Sequence, residues 1–446
     1  MRKLIFALAL LSTSAAWGQE ATPTSSPSDY LGPEVLSRGA GSIGQRTGKD
    51  ADLRFYGNAS GIYDTGLRPV SVDSNGKLVD SGGLFGIEAG FGAYGKHSFR
   101  HSQLGLDYSG SYRAYQEHQY YNGINQQLNL GYTWQKTRRV LFNFQGNAGT
   151  SAYADSMTLG VPAADGAVVD STSLLFDNRT NYFGTNLSMT YIASQRTSYT
   201  VGGNFNRIFR QSDALVGLLG YGAQGSVEHR FSPRTSVGLS YQRMHFEFPG
   251  SFGGSDTDTY LASYNRRFGR PWVLSVSAGI YRSEVAGLSQ INLEPAVAIL
   301  LGVSKVAVPF YTVNYVPSGK ASLQRYFRNA VWSLNYSRMV SPGNGVYLTS
   351  RWQRAETGFS YSGIRKWSFA ARGGYDSLNS LGQTLMAYRQ FEGGVEATYS
   401  LTKALHISAG FSQRRQDVDL AAFDRTSKRT TLSLIYSPGN IPISFR

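Results

Sequence analysis

From Thr257 to Ser283 the chain alternates with a period of two on both sides of a short basic turn, and this leaves few folds open. Tyr260, Ala262 and Tyr264 share one face, while Ser263, Asn265 and Arg267 share the other. After Gly269, Arg270 and Pro271 the split resumes, with Trp272, Leu274, Val276, Ala278 and Ile280 set against Ser275, Ser277 and Gly279. Runs of about ten residues with one apolar face have the length of tilted strands crossing a bilayer. Three further segments repeat the scheme: Gly225 to Arg243 turns at Ser232, Pro233 and Arg234, Thr357 to Tyr375 at Arg365 and Lys366, and Val395 to Gln413 at Thr402 and Lys403. A repeated strand, tight turn and strand implies a meander of antiparallel neighbours.

The chain of 446 residues is 41% hydrophobic and carries 51 Gly, which is too polar and too glycine-rich for a water-excluding core of that size. A closed sheet with a polar interior resolves the conflict, because only every second residue must then be apolar. After the N-terminus no stretch approaches the roughly 18 to 20 apolar residues of a membrane helix. Strands span lipid only when closed, since an open edge leaves backbone groups unpaired. The expected fold is therefore all-β, a transmembrane antiparallel up-and-down barrel with short periplasmic turns and longer extracellular loops.

Met1, Arg2 and Lys3, the apolar Leu4 to Leu11 and the small-residue site Ala16-Trp17-Gly18 read as a secretory signal peptide over residues 1–18. The absence of Cys excludes a lipid attached to a leading cysteine, disulfides and thiolate metal sites. Net charge is +14, but export to the outer membrane of a Gram-negative cell excludes nucleic acid as the partner. Most basic residues are Arg in turns and on polar faces. They suit ion pairs inside a barrel and turns against anionic headgroups, or else a pore that favours anions.

Residues 19–50 read as a flexible periplasmic extension, 51–437 as the barrel and 438–446 as a short tail, where Pro438 and Pro442 interrupt the last strand. Residues 285–318 break the meter. As a loop insertion they leave about 18 strands, as an extra hairpin about 20, and the insertion is the preferred reading. Aromatic residues gather where strands meet the short turns: Tyr94, Trp134, Tyr191, Tyr199, Phe231, Phe268, Trp272, Trp367, Tyr399 and Tyr436, as in an interfacial girdle.

Facing inward, the alternation places Arg54, Glu88, Asp107, Arg113, Glu228, Arg230, Arg267, Arg351, Arg372, Glu392, Glu396 and Arg414 as pore-lining charges. Inward aromatics are few, namely Tyr56, Tyr281 and Tyr347, and read as wall rather than as a stacking track for sugars. The six His are scattered, and the neighbours Glu117 and His118, or His245 and Glu247, form no triad. Asp155, Asp165, Asp170 and Asp177 share one loop, in a spacing that matches no calcium loop. No catalytic residue, cofactor or metal is expected.

Tyr336-Ser-Arg-Met-Val-Ser-Pro-Gly-Asn-Gly345, then Leu405-His-Ile-Ser-Ala-Gly-Phe-Ser-Gln-Arg-Arg-Gln-Asp417 followed by Phe423-Asp-Arg425 and Tyr436-Ser-Pro-Gly439, resemble a family of outer-membrane β-barrel porins associated with exopolysaccharide production. The resemblance implies a passive conduit for polysaccharide, working with periplasmic export machinery. Outer-membrane lipid and the outer-membrane assembly machinery are the other expected partners. Two alternatives stand beside it: a general or anion-leaning porin for small solutes, and a plugged structural or adhesive barrel.

Overall fold

In the computed structural model the described residues are 51–443, less 67–70, 73–77, 80–81, 117–121, 152–161, 164–165, 168–178, 213–214, 270, 293, 295–304, 343–347, 383–386, 419–422 and 439. The long strands are β1 (Ala51–Asp64), β2 (Leu84–Ser98), β3 (Ser102–Tyr115), β4 (Gly123–Gln135), β5 (Val140–Ser151) and β6 (Thr180–Ile192). They continue as β7 (Thr197–Arg210), β8 (Leu218–Ser232), β9 (Thr235–Glu247), β10 (Gly254–Phe268), β11 (Trp272–Asn292) and β12 (Lys305–Tyr326). The last six are β13 (Ala330–Ser341), β14 (Ser350–Tyr361), β15 (Trp367–Ser380), β16 (Tyr388–Ser400), β17 (Leu405–Val418) and β18 (Phe423–Tyr436). Each pairs antiparallel with the next, and β1 pairs with β18 from Gly57↔Tyr436 to Asp64↔Arg429, closing an 18-strand barrel. Closure satisfies the backbone of every strand without an edge, the condition for spanning lipid.

The repeated turn has a chemical cause. Thr137 Oγ1 accepts from the backbone N–H of Arg139 and Val140, Ser194 Oγ from Arg196 and Thr197, and Thr402 Oγ1 from Ala404 and Leu405, at 3.0–3.2 Å. A hydroxyl that takes the free N–H groups of a turn removes the need for further backbone partners, so few residues suffice. At the same end Gly269 and Lys366 take positive φ, 62° and 66°. Opposite these turns the connections are longer, which sets the short end toward the periplasm and the long end outside.

Residues 285–318 are neither an insertion nor an extra hairpin. They lie largely in the outer halves of β11 and β12, which pair without a break from Trp272↔Arg325 to Asn292↔Lys305. The strand number of 18 therefore stands for a different reason from the one read in the sequence. Pro309 and Pro317 sit in β12 on ladder stretches that β13 never reaches or only just approaches: the β12–β13 pairing begins at Gly319. A proline costs little where no neighbour needs its N–H. On this extension Tyr311 Oη donates to Glu284 at 2.8 Å, and that bond holds the phenol above its ordinary pKa. At the other end of the chain Asn440–Ile443 forms a short strand, β19, that continues the pairing of β1 at residues 51–54, so this part of the tail is bound to the wall.

Side chains sort cleanly by parity. Phe85, Ile87 and Phe91 are exposed on one face of β2, while Leu84, Glu88 and Gly92 are buried on the other. The exposed set recurs around the ring in Leu187, Val201, Leu239, Tyr260, Val395 and Leu432, each 50–61% exposed. A continuous apolar exterior around a polar interior is what lipid requires of a barrel.

Candidate functional site

The inner wall has two unlike halves. On β14–β18 and β1–β3 it is a ladder of opposite charges. Glu88 and Arg113 stand directly opposite in register and meet at 2.6 Å, with side chains 9% and 7% exposed. Asp64 and Arg429 repeat the arrangement at 2.7 Å across the closing seam. Arg354 binds Glu356 at 3.2 Å and approaches Asp376, its register partner, at 3.9 Å. Glu392 faces Arg414, and Ser408 Oγ donates to Glu396 at 2.5 Å. Gln416 Nε2 donates to Tyr388 Oη and Gln390 Oε1, at 2.7 and 3.2 Å, and Gln390 in turn donates to Glu392 at 3.4 Å. Cross-strand opposite charges support the sheet, and pairing offsets the cost of desolvating them.

From β4 round to β10 the inner wall is neutral between its ends. Thr133 bonds Asn143 at 3.2 Å, Thr190 bonds Thr200 at 2.9 Å, and Asn206 and Gln242 are buried at inward positions. Amides and hydroxyls both donate and accept, so such a wall can stand in for the water shell of a polar solute without favouring either sign of charge.

The larger apolar clusters also face inward, toward the extracellular end. Tyr182, Ile208, Leu218, Met244, Phe246 and Phe248 form one buried cluster and Tyr281, Val316, Met339, Trp352, Leu378 and Tyr388 belong to another. Leu348, from the connection between β13 and β14, packs on the first cluster, which belongs to β6–β9 and the loop that follows. Leu348 therefore ties the start of β14 to a wall cluster several strands away in the ring. Thr349 and Ser350 beside it are buried, and Phe310 of β12 comes close to Gly382 of the next connection.

Most of the sequence-derived lining residues lie on inward positions, including Arg54, Asp107, Arg372, Glu392, Glu396 and Arg414, with Glu228, Arg230 and Arg267 near the periplasmic end. Arg351 does not. It shares the parity of Phe359, which is 42% exposed, and so faces outward. Assigning that strand one position out of step hid Arg354 and Glu356, the true inward charges of β14. Lys320, on an inward position of β12, was also missed because the strand itself was not recognised.

Tyr94 is the second correction. Even-numbered residues of β2 face inward, and its ring lies 6.1 Å from that of the buried Tyr56, so it does not belong to a girdle. Trp134, Tyr191, Tyr199, Phe231, Phe268, Trp272, Trp367, Tyr399 and Tyr436 do face outward near the short turns. Trp367 packs against Phe369 and Tyr399, with ring centroids at 5.8 and 4.9 Å, and Trp272 against Trp332 at 6.2 Å. Tyr56 and Tyr281 are packed into the wall rather than presented to the lumen. Tyr347, Glu117, His118 and the four Asp of the loop after β5 lie outside the described residues, as do residues 1–50, read in the sequence as a signal peptide and an extension. His245 meets Asp256 at 2.9 Å and Glu247 at 3.5 Å on the outer surface of the barrel, away from the lumen.

A closed barrel with a lipid-facing apolar exterior, an aromatic band beside its short turns and a polar interior defines an outer-membrane β-barrel. No family model matches the chain, and no curated protein matches it. Among solved structures it is similar to OccK9 (OpdG) of Pseudomonas aeruginosa, at 15% identity over 87% of this chain and 99% of the other, with a TM-score of 0.44. It is also similar to OccK2 (OpdF) of the same organism, at 12% identity over 87% and 99% with a TM-score of 0.43, and to OccAB1 of Acinetobacter baumannii, at 9% over 87% and 97% with a TM-score of 0.41.

Proposed function

We propose that the barrel is a passive porin for small polar solutes. The observation that carries this reading is Leu348 at the base of the β13–β14 connection, packed on a wall cluster several strands away in the ring, which narrows access to a lumen whose own wall is polar. Opposite charges on the ladder are paired and close to balance, so the lumen holds no strong net field and discriminates weakly between anions and cations. The amide wall opposite favours neutral and zwitterionic solutes that exchange hydration for hydrogen bonds.

An exopolysaccharide conduit finds no support in these features. A long saccharide needs a wide path and exposed aromatic faces, whereas Tyr56, Tyr182, Tyr281, Trp352 and Tyr388 are all buried in the wall. The direct test is swelling of liposomes that hold the refolded barrel, in isosmotic solutes of graded size. Monosaccharides and amino acids enter quickly and uptake falls steeply for oligosaccharides. Equal rates for mono- and oligosaccharides would refute the proposal. Leu348→Gly raises the size limit if the mouth is the constriction.

A further inference from the structure

At the extracellular end, the outer face of β13–β18 carries a row of basic residues. Arg338 shares the parity of the exposed Leu334 and Tyr336, Arg351 that of Phe359, Arg389 that of Phe391 and Val395, Arg415 that of Phe411, and Lys428 that of Leu432. Each lies roughly eight residues along its strand from the aromatic band or the apolar residues just above it. At about 3.3 Å per residue on a tilted strand this is about 20 Å of height, close to the thickness of the apolar band. The row therefore stands where hydrocarbon gives way to the headgroups of the outer leaflet.

The next sector of the same rim is charged but self-neutralised. There Arg243 and His245 meet Asp256 at 3.9 and 2.9 Å, and Arg282 meets Asp258 at 3.5 Å and also binds Glu284. On β13–β18 the outward positions of the described residues carry two carboxylates, Asp417 opposite Arg389 and Asp424 opposite Asp417, both at the far edge of the row from Arg338 and Arg351. Arg338 stands opposite Gln353 and Arg351 opposite Val340, which makes the two guanidiniums diagonal neighbours on one face. In both, Nε is buried with no hydrogen-bond partner among the described residues. Two adjacent guanidiniums without a carboxylate are unfavourable unless an anion joins them, and Arg binds phosphate through paired N–H bonds.

We infer that this row, centred on Arg338 and Arg351, binds the phosphate groups of an anionic glycolipid in the outer leaflet. The ligand is held from the side, with its acyl chains on the apolar exterior below and its phosphates on the guanidiniums. Binding needs both parts, so a soluble phosphate is a poor substitute.

The test is native mass spectrometry of the full barrel in neutral detergent with added bisphosphorylated lipid A, its dephosphorylated form, or phosphatidylcholine. Wild type retains the bisphosphorylated lipid at least tenfold better than either of the others, and millimolar inorganic phosphate does not displace it. Arg338→Gln with Arg351→Gln removes that preference. The double Lys variant at the same positions restores most of it, and Arg266→Gln at the periplasmic rim leaves it unchanged. Heat-modifiable mobility on a gel confirms that each variant is a folded barrel, and Arg415→Gln supplies a milder variant if the double Gln protein does not fold. Equal retention of phosphorylated and dephosphorylated lipid, or full displacement by inorganic phosphate, overturns the proposal.

Discussion

Arg113→Met tests whether the charged ladder is as desolvated as its geometry requires. Arg113 and Glu88 sit opposite each other, 2.6 Å apart, with side chains only 7% and 9% exposed. With an effective dielectric constant near 20, unit charges at that separation attract by about 6 kcal/mol, most of which offsets their desolvation. Removing the guanidinium leaves Glu88 buried and alone, at a cost of about 3–5 kcal/mol, or roughly two to three and a half powers of ten in the folding equilibrium. Removing both charges, as Glu88→Gln with Arg113→Met, returns most of that loss because no orphan charge remains. Urea unfolding of the refolded barrel in detergent, followed by tryptophan fluorescence, measures all three proteins. A single variant that loses under 1 kcal/mol, or a double variant no more stable than the single one, would show that water reaches the pair and that the reasoning is wrong.

Val395→Arg puts a charge on the lipid face between Ala371 and Phe411, and should cost about 2–4 kcal/mol in the same unfolding assay. Trp367→Ala, which removes contacts to both Phe369 and Tyr399, should cost about 2–3 kcal/mol and weaken insertion into vesicles. Gly92→Val should destabilise by about 1–3 kcal/mol, since an added Cβ would lie 2.3 Å from the Tyr56 ring, while Gly131→Val, with nothing within 4 Å, should be nearly neutral. Glu396→Gln frees Arg372 from a neighbouring carboxylate and should move the reversal potential toward anions by a few millivolts in a salt gradient, with little change in stability.

The wall was legible in the sequence wherever alternation ran unbroken for ten residues. Tyr260 to Ile280 reads the same in the chain and in the barrel, because lipid outside and polar contacts inside impose a strict period of two. Legibility failed where one extra residue changes the answer. Arg351 was placed on the wrong face because β14 opens on Ser350-Arg-Trp-Gln-Arg, in which the bulky Trp352 points inward to a packed mouth rather than outward to lipid. An inward tryptophan inverts the usual cue for register. Tyr94 failed in the same way, as an aromatic at a short turn that packs on Tyr56 inside. Residues 285–318 were misread because strands of 21 and 22 residues exceed what a bilayer needs, so their outer halves obey no lipid pattern. The narrowed mouth could not be found from periodicity at all. It rests on Leu348 meeting a wall that lies several strands away in the ring, a contact between distant residues that no local pattern encodes.

The central claim is an open lumen of balanced charge with a narrowed mouth, and single-channel recording in a planar bilayer reaches it most directly. The account predicts steady ohmic steps, a reversal potential near zero across a tenfold salt gradient and no block by long oligosaccharides added on the extracellular side. A folded barrel that conducts nothing, a reversal potential near the limit for one sign of ion, or stepwise block by oligosaccharides would contradict it.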